Sequence, residues 1–142
     1  TFWTERIGPT AALATLKVME REKSWEKITQ TGNKMQKGWL KLAKEYNLDI
    51  TVSGIKAMTT YSFNSENTAA YKTYITQEML KKRFLASTNF YACTEHKDCH
   101  LESYFNALDG IYKKISDCEK KILKIDELLE GPISHSGFKR LN

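Results

Sequence analysis

Between residues 24 and 63 the spacing of the apolar side chains changes from the period of a helix to the period of a strand. Along residues 24–46 apolar residues recur at steps of three, four and seven, which places them on one face of a helix. From Ile50 to Phe63 apolar or aromatic residues alternate with small polar ones, which indicates two short strands. Both periods in one chain favour a mixed fold in which helices pack on a sheet. The helical stripe consists of Trp25, Ile28, Met35, Trp39, Leu42 and Tyr46.

Local start signals predict two helices before the strands. Gly8-Pro9 marks the start of an alanine-rich helix that extends from Thr10 to about Glu22, because proline suits the first helical position. Ser24 then suits the N-cap of the striped helix, since its hydroxyl can accept a backbone N–H. That helix is expected to end near Tyr46.

The second half of the chain continues the mixture. A helix is predicted over 68–82, and the runs 84–86 and 89–93 suit two brief strands or a strand and a loop. A long final helix is expected from residues 95–98 to about Leu129, where Gly131-Pro132 would stop it. The predicted fold is therefore α+β, with helices on one face of a small, mostly antiparallel sheet.

Composition and charge narrow the functional classes. The chain has 142 residues, 41% of them hydrophobic, which is enough for one core and argues against disorder. The net charge of +5 comes from 22 basic and 17 acidic residues, and it is scattered. Lys34, Lys37, Lys41 and Lys44 share a helix face, but acidic residues flank them, which favours a solvated face over a phosphate-binding stripe.

The location is inferred from further features of the sequence. No run of eighteen apolar residues and no charged-then-apolar leader is present, so we expect a cytoplasmic protein. In that setting Cys93, Cys99 and Cys118 are expected to be reduced thiols.

The string CTEHKDCH, residues 93–100, is the densest cluster of reactive side chains. His96 and His100 lie four residues apart, and Cys or Asp could complete a zinc shell, but a second ligand pair is missing and the other histidine is His135. We therefore expect polar residues around a helix start and no metal. Cys99 and His100 are neighbours on a helix and point apart, so they do not form a nucleophile pair. Phosphate loops, nucleophile elbows and zinc-protease motifs are absent from the sequence.

Three strings in order resemble a known family. They are AALATL at 11–16, KRFLASTNFY at 82–91 and TEHKDCHLESYFNAL at 94–108. Together with Thr1-Phe2-Trp3 and the predicted elements between them, they resemble the C-terminal part of a class III, fold-type I pyridoxal-phosphate (PLP) aminotransferase, in its glutamate-1-semialdehyde aminomutase-like branch. The resemblance covers about residues 1–130.

The resemblance implies a domain plan and a site. Residues 1–23 would be a cofactor-phosphate loop and linking helix, 24–130 the C-terminal small α+β domain, and 131–142 a tail. Thr1 would bind the phosphate of the cofactor held by the other subunit of a homodimer, which a hydroxyl beside a helix N-terminus suits. Trp3 would wall the site, and Glu5 and Arg6 are candidates for touching a small amino or carbonyl substrate.

The same resemblance implies that catalysis needs more than this chain. In the family the lysine that forms the Schiff base lies upstream, in a large N-terminal domain, so no catalytic residue is assigned here. Covalent catalysis by an amine requires that lysine in position with a lowered pKa. The chain alone is therefore expected to be inactive.

The chain departs from the family in three places. Trp3-Thr4-Glu5-Arg6 replaces the family's Ser-Gly-Asn/His-Pro, Tyr91 stands where the mutase branch has Glu, and the mutase branch has extra residues before the histidine matched by His96. The two differences from the mutase branch argue against the mutase reaction and favour another amino donor or acceptor, such as a sugar or another carbonyl compound. The alternative is a stand-alone α+β protein-interaction module without cofactor chemistry, and a nucleic-acid binder is a more distant third.

Overall fold

Helices and strands alternate irregularly along the chain in the computed structural model, which describes residues 4–134. Four α-helices and three strands are present in this range, and a short 3₁₀ turn follows the last helix. The elements are α1 (Ile7–Glu22), α2 (Ser24–Glu45), β1 (Ile50–Ile55), β2 (Met58–Phe63), α3 (Thr68–Lys81), β3 (Asn89–Tyr91), α4 (Asp98–Glu119) and the 3₁₀ turn (Ile125–Glu127).

The three strands form one antiparallel sheet in the order β1-β2-β3. A two-residue turn joins Ile55 to its partner Met58, which is the tight connection that antiparallel neighbours allow. On β2 the side chains of Thr59, Tyr61 and Phe63 are buried against helices, whereas Met58 faces away from them and is exposed. The helices therefore cover one face of the sheet, as the sequence predicted.

The core between sheet and helices is rich in aromatic rings. Trp39 of α2 is fully buried, with its ring centroid 4.6 Å from that of Tyr61. The Trp39 Nε1–H donates to the Tyr104 hydroxyl at 3.0 Å. Burial raises the pKa of Tyr104 to about 12, so its phenol remains protonated at neutral pH. The striped face of α2 thus packs as predicted from Met35 onward, but Trp25 lies outside the core and is half exposed.

The β1–β2 hairpin is held against α2 at its tip. The Lys56 carbonyl lies directly over Gly32, so close that a Cβ at this position would overlap it. One turn further along α2, the buried Gln36 side chain donates to the Thr59 hydroxyl at 2.6 Å and accepts from the Lys56 ammonium. These contacts fix the angle between hairpin and helix.

Two local predictions were wrong, and one left open is decided. Ser24 is not an N-cap, because Lys23, in the left-handed region at φ 48, occupies that place and Ser24 is the first helical residue. Helix α1 begins at Ile7, earlier than the predicted Thr10. Residues 84–86 form no strand, so the second of the two readings, a strand and a loop, is the one observed.

The final helix is shorter than predicted. It ends at Glu119 because Lys121 adopts a left-handed conformation and the Ile122 N–H turns back to the Asp117 carbonyl at 2.9 Å. The chain then reverses so that Ile125 is buried beside α3. The apolar residues at 122 and 125 fit the helical period, but Ile122 is exposed and Ile125 reaches the core from a 3₁₀ turn. Among residues 4–134, no helix combines the length and the hydropathy that crossing a bilayer would require.

Candidate functional site

The N-terminal end of α1 holds a carboxylate. The two Glu5 oxygens accept the Ile7 N–H and the Gly8 N–H, each at 2.8 Å. The first N–H groups of a helix have no partner within the helix and lie at its positive end, so they favour an anion. Glu5 was predicted to touch substrate; in the structure it caps the helix, and its role toward a substrate stays a prediction. An acidic residue just before a helix start is the signal from which this cap could have been predicted.

Of the other predicted site residues, Arg6 is the one within the described part of the chain. Arg6 is the exposed residue that immediately precedes α1. Thr1 and Trp3 lie outside the described residues, so the roles given to them are untested. The loop leading into α1 is thus where the sequence analysis placed the site, with an anion-binding helix terminus next to it.

Helix α1 has no buried residue in the described structure. Leu13 and Leu16 are 61% and 60% exposed, and Ile7 and Met19 are exposed on the same helix. Its main contact with another element of the described chain is with α2, to which it is joined at Lys23. Helices with apolar side chains on several sides are usually surrounded by other protein. The composition of α1 is therefore that of a buried helix, although α1 is exposed in the described structure.

A cleft of about 970 Å³ lies between α1, α2 and residues 94–98. Its basic residues are largely paired: Lys27 contacts Glu22 at 2.9 Å, and Lys34 contacts Asp98 at 2.5 Å. The hydrogen bond from Lys27 and then that from Arg21 lower the pKa of Glu22, so this carboxyl stays charged beside them. Because both signs alternate along the walls, the cleft lacks the concentrated positive charge of a phosphate or nucleic-acid site.

The face of the sheet turned away from the helices carries an apolar row. Ile55 pairs with Met58, and Met58 pairs with Tyr91, so the three side chains lie side by side across the three strands. Each is more than half exposed. Tyr91 therefore projects from the open face of the sheet.

The cluster at residues 93–100 forms the turn that leads into α4. His96 lies in the turn and His100 in the first turn of α4, so the two rings do not share one helix face. Cys93 and Cys99 are exposed free thiols, and Cys118 is a buried one. Across residues 4–134, no three or more His, Cys, Asp or Glu side chains converge as a metal would need. The absence of a structural metal stays a prediction.

Comparison with known proteins identifies the fold. No family model matches the sequence, and no curated protein matches it. Among solved structures the chain is similar to the structure of the PLP internal aldimine form of Sphingopyxis sp. MTA144 FumI protein, with a TM-score of 0.66 and 15% sequence identity. The match covers 84% of this chain and 29% of that chain. The α+β prediction is confirmed, and the chain corresponds in shape to less than a third of the solved protein.

Proposed function

We propose that this chain is the C-terminal part of a PLP-dependent aminotransferase or aminomutase of fold type I. The observation that carries the proposal is the fold match, which takes in 84% of this chain and 29% of a longer PLP protein. The ordered strings at 11–16, 82–91 and 94–108 support it independently, because they resemble class III enzymes of that fold type. Such an enzyme would work in the cytoplasm.

The exposed apolar side chains of α1 support a role as a helix that packs between this domain and other parts of a larger enzyme. Leu13 and Leu16 would be covered in the whole enzyme, by its N-terminal large domain and by a second subunit of a homodimer. The apolar stripes of α2 and α4 are largely used by the core, whereas α1 offers several exposed apolar side chains.

The end of α1 has the polarity that suits an anion, but its first amides are already occupied. The Ile7 and Gly8 N–H groups both donate to the Glu5 carboxylate, so the proposed phosphate contact falls to Thr1. Thr1 would add a hydroxyl and an N–H toward the phosphate of the cofactor in the partner subunit, and Trp3 would wall the site. When bound, PLP supplies the electron sink for chemistry at an amine-bearing carbon.

In this proposal the chain would position the cofactor and the substrate, and none of its side chains would react with them. Glu5 orients the loop by capping α1, and the exposed Arg6 guanidinium beside it offers a charge-assisted hydrogen bond to an anionic substrate group. The lysine for the Schiff base would lie in the N-terminal large domain. The chain by itself would then bind the cofactor weakly and turn over no substrate.

The choice between transaminase and mutase turns on Tyr91. A phenol carries no negative charge at neutral pH, so it cannot replace the charge of a mutase-branch Glu. We therefore favour amino transfer between a small amine and a carbonyl compound, such as a sugar, over an internal amino shift. The exposed position of Tyr91 on the open sheet face is compatible with a role next to substrate.

The alternative is an interaction module without cofactor chemistry. The exposed apolar surface of α1 would serve that role equally well, since it predicts assembly and says nothing about the cofactor. PLP binding therefore separates the two functions, and oligomeric state does not.

The experiment is a PLP titration of the full-length protein and of its Thr1→Ala variant, followed by the change in cofactor absorbance. Loss of one buried charge-assisted hydrogen bond costs about 1.5–3 kcal/mol, so PLP affinity should fall roughly ten- to a hundredfold. Thr4→Ala is the matched control: Thr4 is an exposed threonine of the same loop, and its variant should bind like wild type. The dimer should survive in both variants, because helix α1 and not the hydroxyl supplies the contact area.

Different outcomes contradict different parts of the proposal. A wild-type protein that binds no PLP would favour the interaction module. PLP binding with equal affinity in Thr1→Ala would remove the phosphate role of Thr1 and leave the enzyme assignment. Loss of the dimer in Thr1→Ala, measured by light scattering, would mean that Thr1 acts in subunit packing.

A further inference from the structure

The turn between β3 and α4 is closed by one histidine. The Cys93 N–H donates to Nδ1 of the His96 ring at 3.0 Å, and the His96 N–H donates to the Cys93 carbonyl at 3.2 Å. The His96 ring also lies on the ring of Phe90 in β3, with centroids 4.7 Å apart and planes at 40°. Ring and backbone together hold the turn against the sheet.

The bond to Nδ1 requires a neutral imidazole. A neutral ring has one nitrogen that accepts, whereas an imidazolium donates from both nitrogens. Protonation of His96 would therefore place an N–H against the Cys93 N–H and break the contact. Burial lowers the pKa of His96, and the neighbouring His100 lowers it further. The N-terminal end of α4, which begins at Asp98, carries the positive end of the helix dipole. It therefore also disfavours a positive charge on the His96 ring.

The second histidine of the cluster differs in its surroundings. His100 Nδ1 lies 3.2 Å from the Lys97 N–H but also 3.1 Å from the Glu95 carbonyl, to which a protonated ring could donate. His100 Nδ1 thus has a carbonyl oxygen as well as an N–H within reach, whereas the contact of His96 Nδ1 is with the Cys93 N–H. The titratable and charged groups facing His96 across its turn, α4, and the cleft to α1 and α2 are Cys93, Glu95, Lys97, Asp98, His100, Tyr104, Arg21, Glu22, Lys27 and Lys34.

We propose that His96 is a pH-sensitive clasp, which closes the turn 93–96 against Phe90 when neutral and releases it when protonated. The released turn would uncover a small pocket of about 150 Å³ beneath the His96 ring, lined mainly by apolar side chains that include Met35, Phe84 and Leu101. The device is independent of the proposed PLP chemistry, since it uses residues of the β3–α4 junction alone.

The pH window follows from the direction of the pKa shift. Because the pKa of His96 is lower in the closed turn than its ordinary value near 6.5, closure is fully favoured above that value and weakens as pH falls below it. Between the open-state and closed-state pKa values, the opening equilibrium rises by up to about tenfold per pH unit.

The test is hydrogen exchange of the Cys93 amide by NMR between about pH 5 and pH 8, corrected for the intrinsic pH dependence of exchange. In wild type, protection should fall by up to about tenfold per pH unit below about pH 6.5. In His96→Asn, Oδ1 stands as many bonds from Cα as Nδ1 does and accepts at every pH, so protection should stay constant. His100→Asn is the control: it keeps the acceptor at position 96, so protection should still fall with pH, and the fall should begin at a slightly higher pH because the charge of the neighbouring histidine is removed.

A second variant keeps the proposal falsifiable if His96→Asn packs poorly. His96→Phe retains a ring for Phe90 but has no acceptor, so its Cys93 amide should exchange at the fast, low-pH wild-type rate at all pH values. Protection of the α4 amides reports in each case whether the fold is intact. Wild-type protection that does not change with pH, or the same change in folded His96→Asn, would overturn the proposal.

Discussion

Gly32→Ala tests how closely the β1–β2 hairpin packs on α2. A Cβ at position 32 would lie 1.7 Å from the Lys56 carbonyl oxygen and 2.5 Å from its carbon. Both are backbone atoms, so no side-chain rotation relieves the overlap and the tip of the hairpin must move away from the helix. That movement also stretches the 2.6 Å bond from Gln36 to Thr59.

The expected magnitude is a balance of three effects. Overpacking costs about 1–3 kcal/mol, and a weakened buried hydrogen bond costs about 1 kcal/mol more. The higher helix propensity of alanine offsets about 1 kcal/mol. Gly32→Ala should therefore lower the free energy of unfolding by roughly 1–3 kcal/mol, which corresponds to a Tm lower by roughly 3–10 °C.

Gly110→Ala is the matched control, because it makes the same change inside another helix. Gly110 lies in α4, and a Cβ there would meet no atom within 4 Å outside the helix backbone. Helix propensity then acts alone, so this variant should be more stable by about 1 kcal/mol. Urea unfolding followed by circular dichroism measures both changes. Equal effects of the two substitutions, or a stable Gly32→Ala, would refute the reasoning that the hairpin tip rests on α2.

Two further predictions concern α1 and the core. The double variant Leu13→Glu, Leu16→Glu should leave the free energy of unfolding of the isolated chain within about 0.5 kcal/mol of wild type, because both side chains are exposed. The same variant should abolish dimer formation, measured by light scattering. An intact dimer would show that this surface of α1 does not mediate dimer formation. Trp39→Phe should lower the free energy of unfolding by about 2–4 kcal/mol, because it removes packing and leaves the Tyr104 hydroxyl unpaired. Trp25→Phe should leave the free energy of unfolding nearly unchanged, because Trp25 is half exposed. Similar losses of stability in urea unfolding would contradict the assignment of the core.

The hairpin and the middle helix could be predicted from the sequence because their signals are local. Alternation from residue 50 to 63 reflects the opposite directions of neighbouring side chains on a strand, and the short turn allows antiparallel pairing alone. Helix α3 (68–81) lies within one residue of the predicted 68–82 for the same kind of reason. The sheet with helices on one face then followed from combining the elements.

The candidate site was less predictable. A resemblance placed the candidate site in the loop before α1. The contact of Glu5 with substrate stays a prediction, and the capping of α1 by its carboxylate was not predicted. Thr1 and Trp3 lie outside the described residues and remain predictions. The acceptor role of His96 was not predicted, since it depends on how the turn brings the Cys93 N–H to Nδ1.

The sequence by itself determined which face of each helix and strand is apolar, because that follows from the 3.6- and 2-residue periods of the backbone. Only the tertiary structure decided how far the core extends along those faces. Trp25 and Ile122 fit the period but lie where no element of residues 4–134 covers them, whereas Ile125 is buried because the chain reverses at Lys121 and returns to α3. Likewise, two helical glycines look alike in the sequence, and the Lys56 carbonyl over Gly32 distinguishes it from Gly110. A periodic sequence pattern shows on which side of a helix or strand a side chain points. Whether that side chain is buried depends on neighbours that are distant in the chain.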